Sequence, residues 1–165
     1  AVINERGRRS TNTEEFDQRF HRIMPLLIFS GLIIGGLDHR FGWSTMPILL
    51  QAAGFLLLVP ALFLAVWVLA TNAYASRVVH LQDGHQVVTT GPYRIVRHPM
   101  YTGTLLAFIG SALALGSWWM FAPAVMGIGL FIWRTRWEDK TLMEKLPGYR
   151  EFAKLTRYRL IPGVW

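Results

Sequence analysis

The sequence predicts an all-α protein, a polytopic membrane helical bundle of about four transmembrane helices whose last two form a hairpin. Three observations lead there. Hydrophobic residues make up 52% of the chain, charged residues only 16%, and the mean hydropathy is positive, too apolar for an ordinary soluble domain of 165 residues. The apolar residues are organised into segments on the scale of membrane helices. The basic residues lie almost entirely outside those segments, in positions that obey one topology.

The first apolar segment, 23–37, is bracketed by His21-Arg22 and by Asp38-His39-Arg40. It is short against the roughly 20 residues a helix needs to cross a bilayer, so it predicts little tilt and snorkelling ends. The second, 46–70, is long enough unaided, with Trp43 and Trp67 near its ends, where amphipathic rings favour the interface. Apolar residues then fill the stretch from Thr102 to Trp133. One straight helix of that length would reach about 48 Å, well beyond the roughly 30 Å hydrocarbon core. Gly116-Ser117-Trp118-Trp119 followed by Pro123 supplies a break, which predicts spans over 102–117 and 119–133.

Charge supports the hairpin. Of seventeen Lys and Arg residues, five precede Ile23, three lie between Ala70 and Tyr101, and eight follow Trp133, while Arg40 alone falls between the first two spans. Four spans put all three basic regions on one face, which the positive-inside tendency makes cytoplasmic; three spans would put the basic tail outside. The expected organisation is a cytoplasmic segment 1–22 and a single membrane-embedded domain 23–165. Within that domain, loop 71–101 and tail 134–165 are cytoplasmic, in a prokaryotic inner membrane or the endoplasmic reticulum. Topology thus accounts for the net charge of +7, and a nucleic-acid partner is not expected. Having no cysteine, the chain has no disulfide scaffold, Cys-ligated zinc or thiol nucleophile, and no metal site is read from it.

The chemistry is expected on the cytoplasmic face. Residues 91–103 place two arginines, a histidine, two tyrosines and two prolines at the mouth of an apolar segment. Desolvating a cation there costs several kcal/mol, so such groups are rarely idle. Residues 86–93 read as extended and then turning at Gly91-Pro92, and Pro99 suits the first turn of the third helix. The tail continues the fourth helix, where Arg134 and Glu138 share a face and Asp139 points elsewhere. Pro147-Gly148 ends that helix, and a short basic amphipathic stretch, 149–155, follows. Each feature also has a structural reading. Arg134 and Glu138 make an ordinary i,i+4 pair, Arg94 and Arg97 are phosphate anchors, His98 caps a helix, and Tyr93 and Tyr101 belong to an interfacial belt. Trp118 and Trp119 are read as anchors alone.

Taken together, Gly91-Pro92-Tyr93, Arg97-His98-Pro99-Met100-Tyr101-Thr102-Gly103 and Arg134-x-x-x-Glu138-Asp139 resemble the isoprenylcysteine carboxyl methyltransferase family and its bacterial and archaeal relatives. That broader group includes the membrane phospholipid methyltransferases. Leu146-Pro147-Gly148-Tyr149-Arg150-Glu151-Phe152 and Arg159-Leu160-Ile161-Pro162-Gly163 are similar to the C-terminal end of these proteins, so the resemblance covers roughly residues 40–165. One departure is Asp139, where the family usually has a second glutamate. The resemblance implies S-adenosylmethionine as methyl donor and S-adenosylhomocysteine as product. It implies cofactor contacts from His85, Gln86, Val87, Val88, Gly91, Tyr93, His98, Pro99, Met100, Tyr101 and Glu138. It further implies that Arg134 engages the acceptor's carboxylate, with Arg134 and Glu138 as the catalytic pair. No Gly-x-Gly-x-x-Gly lies between a strand and a helix, in keeping with a cofactor site built without a Rossmann domain.

The reaction so implied is carboxyl O-methylation of an isoprenylcysteine-type acceptor, a lipophilic or prenylated molecule delivered among membrane lipids. Methylation of a phospholipid amine or another small acceptor is the alternative. Two further readings stay open. Sterol-reductase-like enzymes share His-Pro-x-Tyr-x-Gly and use NADPH, but carry an Asn before the Tyr and an acidic residue after the Gly, where this chain has Met100 and Thr104. A non-catalytic membrane subunit would keep the fold without the chemistry.

Overall fold

The computed structural model describes residues 15–72 and 86–165. It contains α1 (Glu15–Phe41), α2 (Ile48–Thr71), a 3-10 turn (Gly91–Arg94), α3 (Pro99–Ala114), α4 (Phe121–Lys145) and α5 (Tyr149–Leu155), with no strand among the described residues. Two helices are long and apolar enough to cross a membrane, over Phe16–Phe41 and Ile48–Thr71; α3 is a shorter apolar helix. The expected hairpin is present, with α3 and α4 separated by a turn at 115–120, and α4 continues into the charged tail.

The first segment differs from its short expectation. Helix α1 begins at Glu15 rather than at residue 23 and ends at Phe41 rather than at residue 37. Asp17, Phe20 and Met24 are buried along one stripe, while His21, Arg22 and Ile23 on the other side are exposed. A helix that buries one face tolerates polar residues on the opposite face, so a reading of apolar runs starts it too late.

Helix α1 packs on α4, and α2 packs along α3. The second contact depends on missing side chains. A Cβ on Gly54 would lie 2.3 Å from the Ala114 amide nitrogen and 2.8 Å from the Gly110 carbonyl oxygen. One on Gly103 would lie 3.1 Å from the Ala61 carbonyl oxygen. Close backbone approach over small residues is how helices associate where lipid removes the hydrophobic incentive. Gly31 and Gly35 of α1 similarly face Met120, within this chain.

Two clamps close the bundle. At one end buried Asp38 accepts hydrogen bonds from the Ser44 amide (2.8 Å), the Ser44 hydroxyl (2.6 Å) and the Ser117 hydroxyl (2.5 Å), and the Trp118 indole donates to the Thr45 carbonyl (3.2 Å). This ties the α1–α2 connection to the α3–α4 turn. At the other end the tail straps the start of α3. The Arg97 and His98 amides donate to the Tyr158 and Arg159 carbonyls (both 2.9 Å), and the Thr102 hydroxyl donates to the Leu160 carbonyl (2.7 Å). Leu160, buried among Phe20, Met24, Leu105 and Phe131, anchors that strap in the core.

Candidate active site

The site is assembled where α2 ends, α3 begins and α4 leaves the apolar layer. Gly91 adopts φ 58°, and a Cβ there would lie 2.9 Å from the Thr71 hydroxyl, so the 3-10 turn sits directly on the end of α2. Asn72 then donates to the Tyr93 hydroxyl (2.7 Å), and the Thr156 hydroxyl donates to the Tyr93 carbonyl (3.0 Å). Burial pushes the Tyr93 hydroxyl pKa up, against the Asn72 hydrogen bond, so Tyr93 is a neutral phenol. Pro99 takes the first position of α3, as its spacing predicted. His98 precedes it without capping the helix through its side chain. Its ring is turned toward α4 instead.

Asp139 is the hub. It receives Arg97 bidentately, Nε at 2.8 Å and Nη2 at 3.0 Å, together with Arg159 Nε at 2.8 Å and the Tyr149 hydroxyl at 2.9 Å. His98 Nε2 lies 3.3 Å from the same carboxylate. Arg97 also donates through Nη1 to the Thr156 and Arg157 carbonyls (3.0 and 2.9 Å), at the carbonyl-rich end of α5. Burial opposes ionisation of Asp139, but hydrogen bonds from His98, Arg97 and Arg159 outweigh it and hold the carboxyl well below the usual range. Burial and the Asp139 charge push the Tyr149 phenol far up. The anchor reading of Arg97 is therefore overturned, because a headgroup anchor would be exposed. Arg94 is exposed.

Glu138 occupies the other side of His98, with Oε1 3.8 Å from Nδ1. The Tyr101 hydroxyl donates to Glu138 Oε2 at 2.5 Å, and the His98 and Tyr101 rings stack at 5.7 Å and 3°. Arg134 Nε lies 3.9 Å from Glu138 Oε2. Adjacent carboxylates on one helix thus face different partners, Asp139 toward the tail and Glu138 toward α3, as expected of residues 100° apart. The Arg134 guanidinium is buried. It lies 4.2 Å over the Phe20 ring and 5.4 Å from the Tyr101 ring, and its Nη2 meets Asp17 at 2.6 Å.

His98, Pro99, Met100, Tyr101, Arg134 and Glu138 therefore converge on one end of the bundle, with Gly91 and Tyr93 beside them. Val87 and Tyr93 pack against Leu146, Tyr149 and Phe152, and Val88 is half-buried nearby in sequence, whereas Gln86 is exposed. His85 lies outside the described residues. The sequence reading missed three participants. Tyr149 and Arg159 lie in the tail motif but carry no local signal of their partner. Asp17 lies in the segment 1–22, expected to be cytoplasmic and to precede the first span. The shorter Asp139 loses no reach, since three side chains hold it through four contacts at 3.0 Å or less.

A phospholipid methyltransferase family profile matches residues 49–148, more than half of the chain. The chain belongs to this family, and with its apolar helices it is a membrane methyltransferase. Methyltransferases of the family generally use S-adenosylmethionine. No curated protein matches the chain. The matched range runs from α2 to the end of α4, so it includes His98, Tyr101, Arg134 and Glu138 and leaves out Asp17, Tyr149 and Arg159.

Proposed function

We propose that the chain transfers a methyl group from S-adenosylmethionine to a lipophilic acceptor at the cytoplasmic membrane interface. In this reading α1 to α4 form four spans with both termini cytoplasmic, and residues 23–165 act as one domain preceded by the segment 1–22. The observation that carries it is the convergence of His98, Tyr101 and Glu138 where α3 begins and α4 passes into the charged tail, in a chain of this family.

The residues fit the cofactor. Asp139 is saturated by structural partners, whereas Glu138 remains partly accessible and its Oε1 lies beyond hydrogen-bond distance of His98. That oxygen has acceptor capacity for the ammonium of the amino-acid end. Val87, Val88, Tyr93 and Met100 are half-buried and supply the apolar walls an adenosyl group needs. When bound, the cofactor supplies a methyl carbon already activated by its sulfonium, so the protein's task is alignment. Tyr101 fixes the Glu138 carboxylate through Oε2, and the Asp139 network fixes His98 beside it.

A cavity of about 410 Å³ lies between the four long helices, lined by residues that include Leu27, Gly31, Phe55, Thr104, Phe108 and Pro123. Phe108 touches Phe131 (6.1 Å between centroids), and Phe131 touches Tyr101 (5.2 Å). It suits a hydrocarbon tail entering sideways from lipid. Two acceptor heads are compatible with such a tail. The motif resemblance favours an isoprenylcysteine-type carboxylate held by Arg134 and O-methylated without a base. The family match favours a phospholipid amine, for which Glu138 serves as base. The test is transfer from methyl-labelled S-adenosylmethionine by detergent-purified protein to each acceptor. Transfer to either, lost in Glu138→Gln and His98→Ala, supports the reading; no transfer to any lipid acceptor contradicts it.

A further inference from the structure

Arg134 is the group expected to hold an acceptor carboxylate, yet its Nη2 already meets a carboxylate of the chain itself, Asp17 Oδ1, at 2.6 Å. Asp17 is fully buried and comes from the first turns of α1, outside the family match. Its position is held locally: His21, one turn on, places Nδ1 2.8 Å from the Asp17 carbonyl and 3.6 Å from its carboxylate. Phe20, three residues after Asp17, covers the guanidinium from the same helix at 4.2 Å. Glu138 and the Tyr101 ring close the remaining sides.

We propose that Asp17 is the acceptor-selecting residue of this enzyme: it occupies the anion position of Arg134 and so turns the site against carboxylate acceptors and toward amines. This rests on the methyl-transfer reading above. An incoming carboxylate would have to share one guanidinium with Asp17 and Glu138, and like charges at such separations strongly disfavour a complex. An amine meets no such opposition. The acceptor arrives as an ammonium, and Glu138 takes its proton to free the nitrogen lone pair. That lone pair forms the bond to the methyl carbon while the carbon–sulfur bond breaks and its electron pair stays on sulfur. The cofactor's net charge of +1 passes to the product amine, so the two acidic side chains suit the nascent ammonium and would oppose a carboxylate nucleophile. A buried residue thus discriminates by repulsion rather than by a new attractive contact.

The test compares the full chain with Asp17→Asn, which removes the charge at nearly constant shape, and with Asp17→Ser should Asn fail to fold. Two acceptors are used, phosphatidylethanolamine and an N-acetyl-S-prenylcysteine. Acceptor binding is measured with S-adenosylhomocysteine present, and methyl transfer with labelled S-adenosylmethionine. The wild-type chain is expected to bind the amine lipid in preference, and loss of the Asp17 charge to tighten carboxylate binding by about tenfold or more. Asp17→Glu should keep the wild-type preference. Unchanged carboxylate binding in the neutral variants overturns the proposal. So does an equal gain for both acceptors, which would make Asp17 a plug. A shift in binding with no transfer by any variant supports the selector and contradicts the methyl-transfer reading instead.

Discussion

Removing the Asp139 carboxylate strands a buried guanidinium, because Arg97 has its two-pronged contact there and nowhere equivalent to turn. Breaking a buried pair from one side destabilises by about 3–5 kcal/mol, so Asp139→Ala should lower the melting temperature far more than Glu144→Ala in the exposed Lys140–Glu144 pair. The pH dependence follows from the same carboxylate. Its folded-state pKa is depressed, so below the unfolded value of about 3.9 the unfolded chain binds more protons. The stabilisation from Asp139 is therefore complete above that value and lost as pH falls toward the folded one. Melting curves between pH 6 and pH 3 should show a steeper acid decline for the wild-type chain than for Asp139→Asn. The clustering of Arg97 and His98 was legible in the residues themselves. Their partner was not, because the pairing spans 42 and 41 positions and is set by how α4 meets the tail.

At the scale of elements, the α2–α3 contact makes a prediction with an internal control. Gly54→Ala places a methyl group against backbone of the facing helix, with no flexible side chain to give way. Overpacking of this kind costs about 1–3 kcal/mol, and backbone contact puts it at the upper end. Gly129→Ala meets nothing within 4 Å in the middle of α4, and should be neutral or stabilising by up to about 1 kcal/mol. Thermal unfolding in one detergent checks both. The second span, the hairpin and the Pro99 start of α3 were legible because length, a Gly-Ser break and a helix-starting proline are local signals. The full extent of α1 was not, since its buried stripe of Asp17, Phe20 and Met24 becomes apparent only against α4. The packing role of Gly54 was equally hidden: an apolar run does not announce which glycine faces a neighbour.

In the whole molecule, an apolar bundle ends in a polar mouth built from the start of α3, the charged end of α4 and the tail. Charge distribution and motif together made that plan readable, while the pairing of Arg134 with Asp17 required the fold. Whether the site takes an adenosyl cofactor is decided by calorimetric titration of the detergent-purified protein with S-adenosylmethionine, S-adenosylhomocysteine and NADPH. A methyltransferase site binds the two adenosyl compounds and not NADPH. Affinity should fall about tenfold or more in Glu138→Ala and His98→Ala, as expected when a charge-assisted contact worth about 1.5–3 kcal/mol is removed. Binding of NADPH in their place, or no binding of either by a folded sample, would contradict the methyl-transfer reading.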